Sequence, residues 1–222
     1  MLLQDDGYKN KGCEYFNNVR LDIVSLLPPH VDRIFEVGCG EGNTLSYLKA
    51  IGACNWCGGI ELFHSAAQHA RAKLDLLLEG SVEELTMMID NDSMDVILCL
   101  DVLEHLRDPW QVIFELSAKI KPGGLLICSI PNVRHFSVLL PLLLFGRWRY
   151  KNHGILDSTH LRFFTKESAI ELVEYSGCRI EKILATDLDV WSKAKVANFI
   201  SLGFFRRMFE LQYLIKAKKP ND

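Results

Sequence analysis

Apolar side chains along EYFNNVRLDIVSLL (residues 14–27) recur three and four positions apart, the spacing of one helix face, and Pro28-Pro29 ends the run. From there the period changes repeatedly. RIFEVG (33–38) is a short β-type run, NTLSYLKAIG (43–52) a helix closing on a glycine, and WCGGIEL (56–62) a second strand. A helix over 64–74 follows, then a third strand in LDLLLEG (74–80). SVEELTMMI (81–89) predicts a short helix that Ser81 and Glu84 open with a capping-box pattern. MDVILCL (94–100) has the composition of a strand buried on both faces. The next helix starts around Pro109, a residue suited to a first helical position, and KPGGLLICSIP (121–131) turns into a fifth strand. A helix over 166–177, a strand over 179–186, an amphipathic stretch over 191–210 and a last strand in LQYLIKAKKP complete the pattern.

Strands and helices that alternate through short connections imply a parallel sheet covered by helices on both faces. Such a fold binds ligands beyond the carboxyl ends of its strands, where the strand order reverses. The segment 132–165 breaks the rhythm. It is too long for a plain connection, and long loops within compact domains usually carry function.

Composition narrows the field. At 222 residues, 49% hydrophobic and 24% charged, the chain reads as one globular domain over 1–222. A net charge of −3 argues against nonspecific binding to nucleic acid. MLLQDDGYKNKG has no apolar signal core, so a cytoplasmic location is expected. FSVLLPLLLF (136–145) is ten residues long and contains Pro141, whereas a membrane span needs about 20. Contact with one membrane face stays open. Of the seven cysteines, Cys54 and Cys57 form a lone CxxC with no second ligand pair at metal spacing. Reduced core cysteines and no metal are therefore expected.

FEVGCGEGN (35–43) runs from a strand into three glycines. Gly38 and Gly40 allow a sharp turn that presents backbone N–H groups to a ligand. The dinucleotide fingerprint G-x-G-x-x-G does not fit, because Gly42 arrives one residue early. Glu36 and Glu41 flank the turn, where they would repel a phosphate and attract a cation. Glu61 lies 21 residues after Gly40, the place from which an acid accepts hydrogen bonds from ribose hydroxyls. A ribose joined to a positive charge, without phosphate, describes S-adenosylmethionine. A nicotinamide-dependent reductase fits less well: none of the six tyrosines has a lysine four residues later.

These features together resemble the class I S-adenosylmethionine-dependent methyltransferases, in particular bacterial polysaccharide-cluster and ubiquinone-biosynthesis enzymes. EVGCGEGN, GGIEL, GSVEEL, LCLDVLEHLRDP and KPGGLLICSIPN stand in family order, and the likeness covers roughly 12–220. The resemblance implies a Rossmann-like, doubly wound, seven-stranded and mostly parallel α/β sheet, with residues 132–165 inserted after strand 5 as a substrate lid. It implies S-adenosylmethionine as cofactor and S-adenosylhomocysteine as product. Glu36 and the backbone at Gly38, Cys39 and Gly40 would face the methionine portion, and Glu61 the ribose, with Leu62 against the adenine. Ser81 and Val82 would line the adenine edge, the backbone of Leu100 would accept from the methionine amine, and Asp101 would help to organise the pocket.

The acceptor is less legible. An oxygen nucleophile needs its proton removed, usually by histidine. The insertion offers His135, His153 and His160, and His105 follows the fourth strand. His153 or His160 is the expected base, with Asp157 orienting one of them; alternatively His160 and Arg162 only lock the loop to the sheet. Residues 132–165 carry five Arg or Lys against one acid, beside an apolar run. That mixture suits an anionic acceptor with a sugar or hydrophobic part, such as a nucleotide- or lipid-linked glycan. O-methylation of a sugar or glycan precursor is the expected reaction. The alternatives are a phenol or quinone-precursor hydroxyl, the nitrogen of an amino sugar, and a non-catalytic cofactor-binding scaffold.

Overall fold

The computed structural model describes residues 18–187 and 206–221. Seven strands form one sheet: β1 (Val31–Val37), β2 (Cys54–Glu61), β3 (Leu76–Glu79), β4 (Met94–Leu100), β5 (Ile120–Pro131), β6 (Arg179–Asp187) and β7 (Glu210–Lys218). Their spatial order is β3-β2-β1-β4-β5-β7-β6, and β7 alone runs antiparallel to its neighbours. The helices are α1 (Asn43–Ala50), α2 (His64–Arg71), α3 (Val82–Leu85), α4 (Pro109–Lys119), α5 (Phe136–Phe145) and α6 (Lys166–Tyr175).

The sheet divides its core by the two-residue period of its strands. In β4, Ile97 and Cys99 face one layer, where Val112, Ile113 and Leu116 of α4 and Leu172 and Val173 of α6 bury. Val96, Leu98 and Leu100 face the other, against Leu45 and Leu48 of α1 and Ala70 of α2. A strand flanked this way on both faces has no solvent side, which is why MDVILCL is nearly all apolar. The cysteines described are buried and unpaired, Cys54 and Cys57 among them.

Several elements depart from the sequence pattern. The described part of 14–27 forms a 3-10 turn, Leu21–Leu26, instead of an α-helix; Ile23 and Leu26 still seal the core. Ser81 caps α3 through the Glu83 N–H at 3.3 Å, and no Ser81–Glu84 box forms. Glu83 instead turns its carboxylate to the N–H groups of Arg107 and Asp108. A reciprocal box does open α6, between Thr165 and Ser168, a residue pair the Glu-based template overlooks. Most of the amphipathic stretch 191–210 lies outside the described residues.

The insertion begins with α5, whose Pro141 lies inside the helix and whose only buried residue is Val138. Leu143, Leu144 and Phe145 are more than three-fifths exposed. The chain then folds back through an aromatic cluster in which the Trp148 and Phe163 rings lie 5.1 Å apart. Its return is pinned to the turn after β4, where the N–H groups of Leu161 and Arg162 both donate to the Glu104 carbonyl, at 2.8 and 3.0 Å. The Arg162 guanidinium also donates to the Arg107 carbonyl.

Candidate active site

Strand order reverses between β1 and β4, and the carboxyl ends of β1, β2 and β4 open there onto a cavity of about 660 Å3. Its wall includes Glu36, Gly38, Cys39, Gly40, Glu61, Leu62, Ser81, Val82, Leu100 and Asp101, so every residue the sequence assigned to a cofactor meets in one place. Arg20, Thr44, Phe63, Val102 and His105 join them.

The glycine turn is built by geometry as well as by charge. Gly38 and Gly40 take φ of 69° and 55°, in the left-handed region that disfavours side chains. A methyl group on Gly38 would also press on Val102 at 3.1 Å. The Gly38 and Cys39 N–H groups donate to the Ile60 carbonyl, tying the turn to β2. Gly42 serves packing instead: it starts α1, and a side chain there would meet Leu74 and Ala70 at 3.2 and 3.3 Å. The early third glycine thus brings α1 close to α2.

The flanking acids separate. Glu36 is buried, lines the cavity, and its Oε2 has no hydrogen-bond partner. Burial pushes its carboxyl up to about 8, partly offset by Arg20 and reinforced by Glu61. Glu41, by contrast, faces His69 at 3.6 Å and is not among the lining residues. The expectation of two acids at the ligand therefore reduces to one. Glu61 uses its oxygens locally, accepting from the N–H of Gly40 at 2.8 Å and of Phe63 at 2.9 Å. Burial raises its pKa, and those N–H groups act the other way. Each carboxylate oxygen has a second lone pair for a hydroxyl donor. An acid at the end of β2 thus braces the turn that it flanks.

Arg20 went unrecognised in the sequence. Its guanidinium pairs with Asp101 and donates to Asp22 at 2.9 Å and to Ser129 Oγ at 3.1 Å. Burial would lower its pKa, but Asp101 and Asp22 hold it above the ordinary value. Ser129 Oγ donates to Asp101 at 2.7 Å, and Gln212 donates to Ser129. This network fixes Asp101 in a left-handed backbone conformation, φ 54°, that non-glycine residues seldom adopt. The available signal was slight: Arg20 is the one cation in residues 14–27.

The histidines sort differently from expectation. His153 is exposed and is not among the lining residues. Asp157 is buried and accepts from the backbone N–H and hydroxyl of Thr159, at 2.9 and 2.7 Å, so it shapes the turn preceding His160. His160 is buried, its ring 4.6 Å from that of His105 in an edge-on pair. His105 is the histidine on the cavity wall. Beside both lies Glu104, 1% exposed, with neither carboxylate oxygen hydrogen-bonded. Burial, then the nearby Asp101, raises its pKa well above the carboxylate range. The sequence pointed to no metal-ligand spacing, yet the fold brings Glu104, His105 and His160 together across 55 residues of chain.

A cavity with a glycine turn, a strand-end acid and a switch-point position fits several nucleotide-type ligands, and family membership decides among them. A model described as the methyltransferase domain matches residues 14–183. The chain belongs to that family. It is a class I methyltransferase, and its cofactor is S-adenosylmethionine. Among related sequences, the ubiquinone biosynthesis O-methyltransferase of Alkalilimnicola ehrlichii is 32% identical over 134 residues, 57% of this chain and 53% of that protein. The enzyme of the same name from Aeromonas salmonicida is 25% identical over 216 residues, 95% of this chain and 87% of that one. Among solved structures, a SAM-dependent methyltransferase from Archaeoglobus fulgidus superposes with a TM-score of 0.69 at 19% identity, covering 99% of this chain and all of that one. That likeness speaks to the fold.

The cavity suits the cofactor's charges. The orphaned Glu36 oxygen offers a site for a cation such as the methionine ammonium, and the Arg20 guanidinium stands within the same wall for a carboxylate.

Proposed function

We propose that this methyltransferase methylates a hydroxyl oxygen of a hydrophobic acceptor, with a phenolic precursor of an isoprenoid quinone as the favoured class. The observation that carries this is the lid. It carries the Trp148–Phe163 pair and the exposed Leu143, Leu144 and Phe145, and its returning strand of chain docks on the turn that holds His105. The relatives named as ubiquinone biosynthesis O-methyltransferases support the same acceptor class and move the balance away from the glycan expected from lid charge.

The bound cofactor supplies an electrophilic methyl carbon on a sulfonium. The protein aligns the acceptor oxygen with it, and such alignment is worth several kcal/mol in related systems (about 7 or more). Methylating a hydroxyl also requires that its proton be lost. His105 lines the cofactor cavity, with Glu104 and His160 packed beside it, which supports a role for this group in handling that proton.

A glycan acceptor is the second reading, favoured by the exposed Arg147, Arg149 and Lys151 on the lid. Incubation with radiolabelled S-adenosylmethionine and a panel of polyprenyl catechols, simple phenols and nucleotide-linked sugars tests both. Label in the catechols is expected. Label confined to the sugars would overturn the first reading in favour of the second. No described helix is long and apolar enough to cross a membrane. We propose that the enzyme meets its acceptor at a membrane face through the exposed end of α5.

A further inference from the structure

We propose that Ser129 and Gln212 are positioning residues for the cofactor, aiming the Arg20 guanidinium at its amino-acid carboxylate through Asp101. This role rests on the methyltransferase reading of the cavity. Arg20 and Asp101 line that cavity, and Ser129 and Gln212 stand behind them.

The last strand reaches the cofactor edge because it runs against its neighbours. β7 is antiparallel to β5, so its opening residues lie beside the carboxyl ends of β4 and β5. Ser129 of β5 stands opposite Leu100 of β4 on one side and Leu214 of β7 on the other, and Gln212 stands opposite Pro131. Ser129 and Gln212 are therefore diagonal neighbours on one face of the antiparallel pair, within reach of a long side chain. The Gln212 amide spans that diagonal and donates to Ser129 Oγ at 2.8 Å.

The hydroxyl at the centre has no freedom left. Ser129 is fully buried. Arg20 Nη2 donates to its oxygen at 3.1 Å beside the Gln212 amide, so both lone pairs are engaged. Its single proton goes to Asp101 Oδ1 at 2.7 Å. The other oxygen, Asp101 Oδ2, pairs with Arg20 Nη1. Gln212 thus sets the direction of the hydroxyl, the hydroxyl holds the carboxylate, and the carboxylate holds the guanidinium.

Arg20 has one donor to spare. Its Nε and Nη2 also donate to Asp22, at 3.0 and 2.9 Å, so four of its five N–H groups are taken. The fifth, on Nη1, has no partner among the described residues. A charged N–H at the wall of a cavity suits a carboxylate. Because the guanidinium is already held at three other points, binding costs little further ordering of a long side chain.

The test is calorimetry of the full chain with S-adenosylmethionine and with its decarboxylated form, which keeps the adenosine, the sulfonium and the ammonium and lacks only the carboxylate. The parent should prefer S-adenosylmethionine by about 10-fold or more, the value of a hydrogen bond between charged groups. Ser129→Ala should bind S-adenosylmethionine about 10-fold more weakly and the decarboxylated form within about twofold of the parent. Gln212→Met keeps the side-chain length without the donor, and should lose about 3- to 10-fold for S-adenosylmethionine alone. A purely structural role would instead lower both affinities together, along with the melting temperature. Parallel losses, or a preference in Ser129→Ala equal to the parent's, overturn the assignment. Gln212 is only half-buried, so its variant decides the matter by the same comparison if Ser129→Ala fails to fold. A parent that binds both forms equally also overturns it, by removing Arg20 from the carboxylate. A parent that binds neither strikes the methyltransferase reading itself.

Discussion

Replacing Glu36 by glutamine should stabilise the cofactor-free protein at high pH and weaken its hold on the cofactor. The Glu36 carboxyl is lifted from 4.5 to about 8, chiefly by burial. Between those values the folded chain keeps a proton that the unfolded chain has lost, so unfolding releases a proton. Stability therefore falls as pH rises from about 4.5 to about 8, and the loss is flat outside that window. At about 1.4 kcal/mol per pH unit, the full penalty is on the order of 5 kcal/mol above pH 8. Glu36→Gln has no proton to lose, so it escapes the penalty. Its amide N–H groups bring an offset of their own, about 1–3 kcal/mol if unpaired. That offset shifts the whole curve without tilting it.

The assay is urea unfolding of both proteins, without cofactor, from about pH 5 to about pH 9. The difference in unfolding free energy should grow in the variant's favour by a few kcal/mol across the range. Subtraction removes Glu104, which both proteins carry, while the repulsion between Glu36 and Glu61 stays within the measured difference. Parallel curves would refute the argument, since they would mean that Glu36 ionises in the fold as readily as in the unfolded chain. With saturating S-adenosylmethionine the order should reverse, because a cation at the orphaned oxygen rewards the carboxylate and not the amide.

Other perturbations test separate parts of the site. Glu61→Ala should weaken cofactor binding by about 1–3 kcal/mol in calorimetry, and unchanged affinity would remove the acid from the ribose role. Gly59→Ala would place a methyl group 2.6 Å from Cys39 Sγ; overpacking of this kind should cost about 1–3 kcal/mol in urea unfolding. Arg20→Ala leaves Asp101 without its cation and should lower cofactor affinity by about 1.5–3 kcal/mol, whereas equal binding would leave Arg20 a purely structural anchor. His153→Ala should retain both cofactor binding and turnover; a loss of turnover with binding intact would return it to the catalytic role.

The sequence showed the cofactor end of this enzyme far better than the acceptor end, and chain topology explains the difference. Glu36, Gly38, Gly40, Glu61, Ser81, Leu100 and Asp101 each sit at the carboxyl end of a strand or just beyond it, so the repeating strand-helix period already delivers them to one edge of the sheet. Their placement follows local patterns that can be read a few residues at a time. Arg20 and the pairing of Glu104 with His160 obey no such period. Arg20 is a lone cation that reaches Asp101, 81 positions away. His160 meets His105 because Leu161 and Arg162 donate to a backbone carbonyl, a contact that any residue types at those positions could make. Periodicity also misjudged the entry segment, since Ile23 and Leu26 bury equally well from a 3-10 turn. Histidine content alone could not rank His153 against His160. What separates them is the Asp157–Thr159 turn, which buries one beside Glu104 and leaves the other at the surface. The wall of the cofactor cavity is thus set out by the sheet and is legible in sequence, while the meeting of Glu104, His105 and His160 depends on how the insertion docks on the turn after β4.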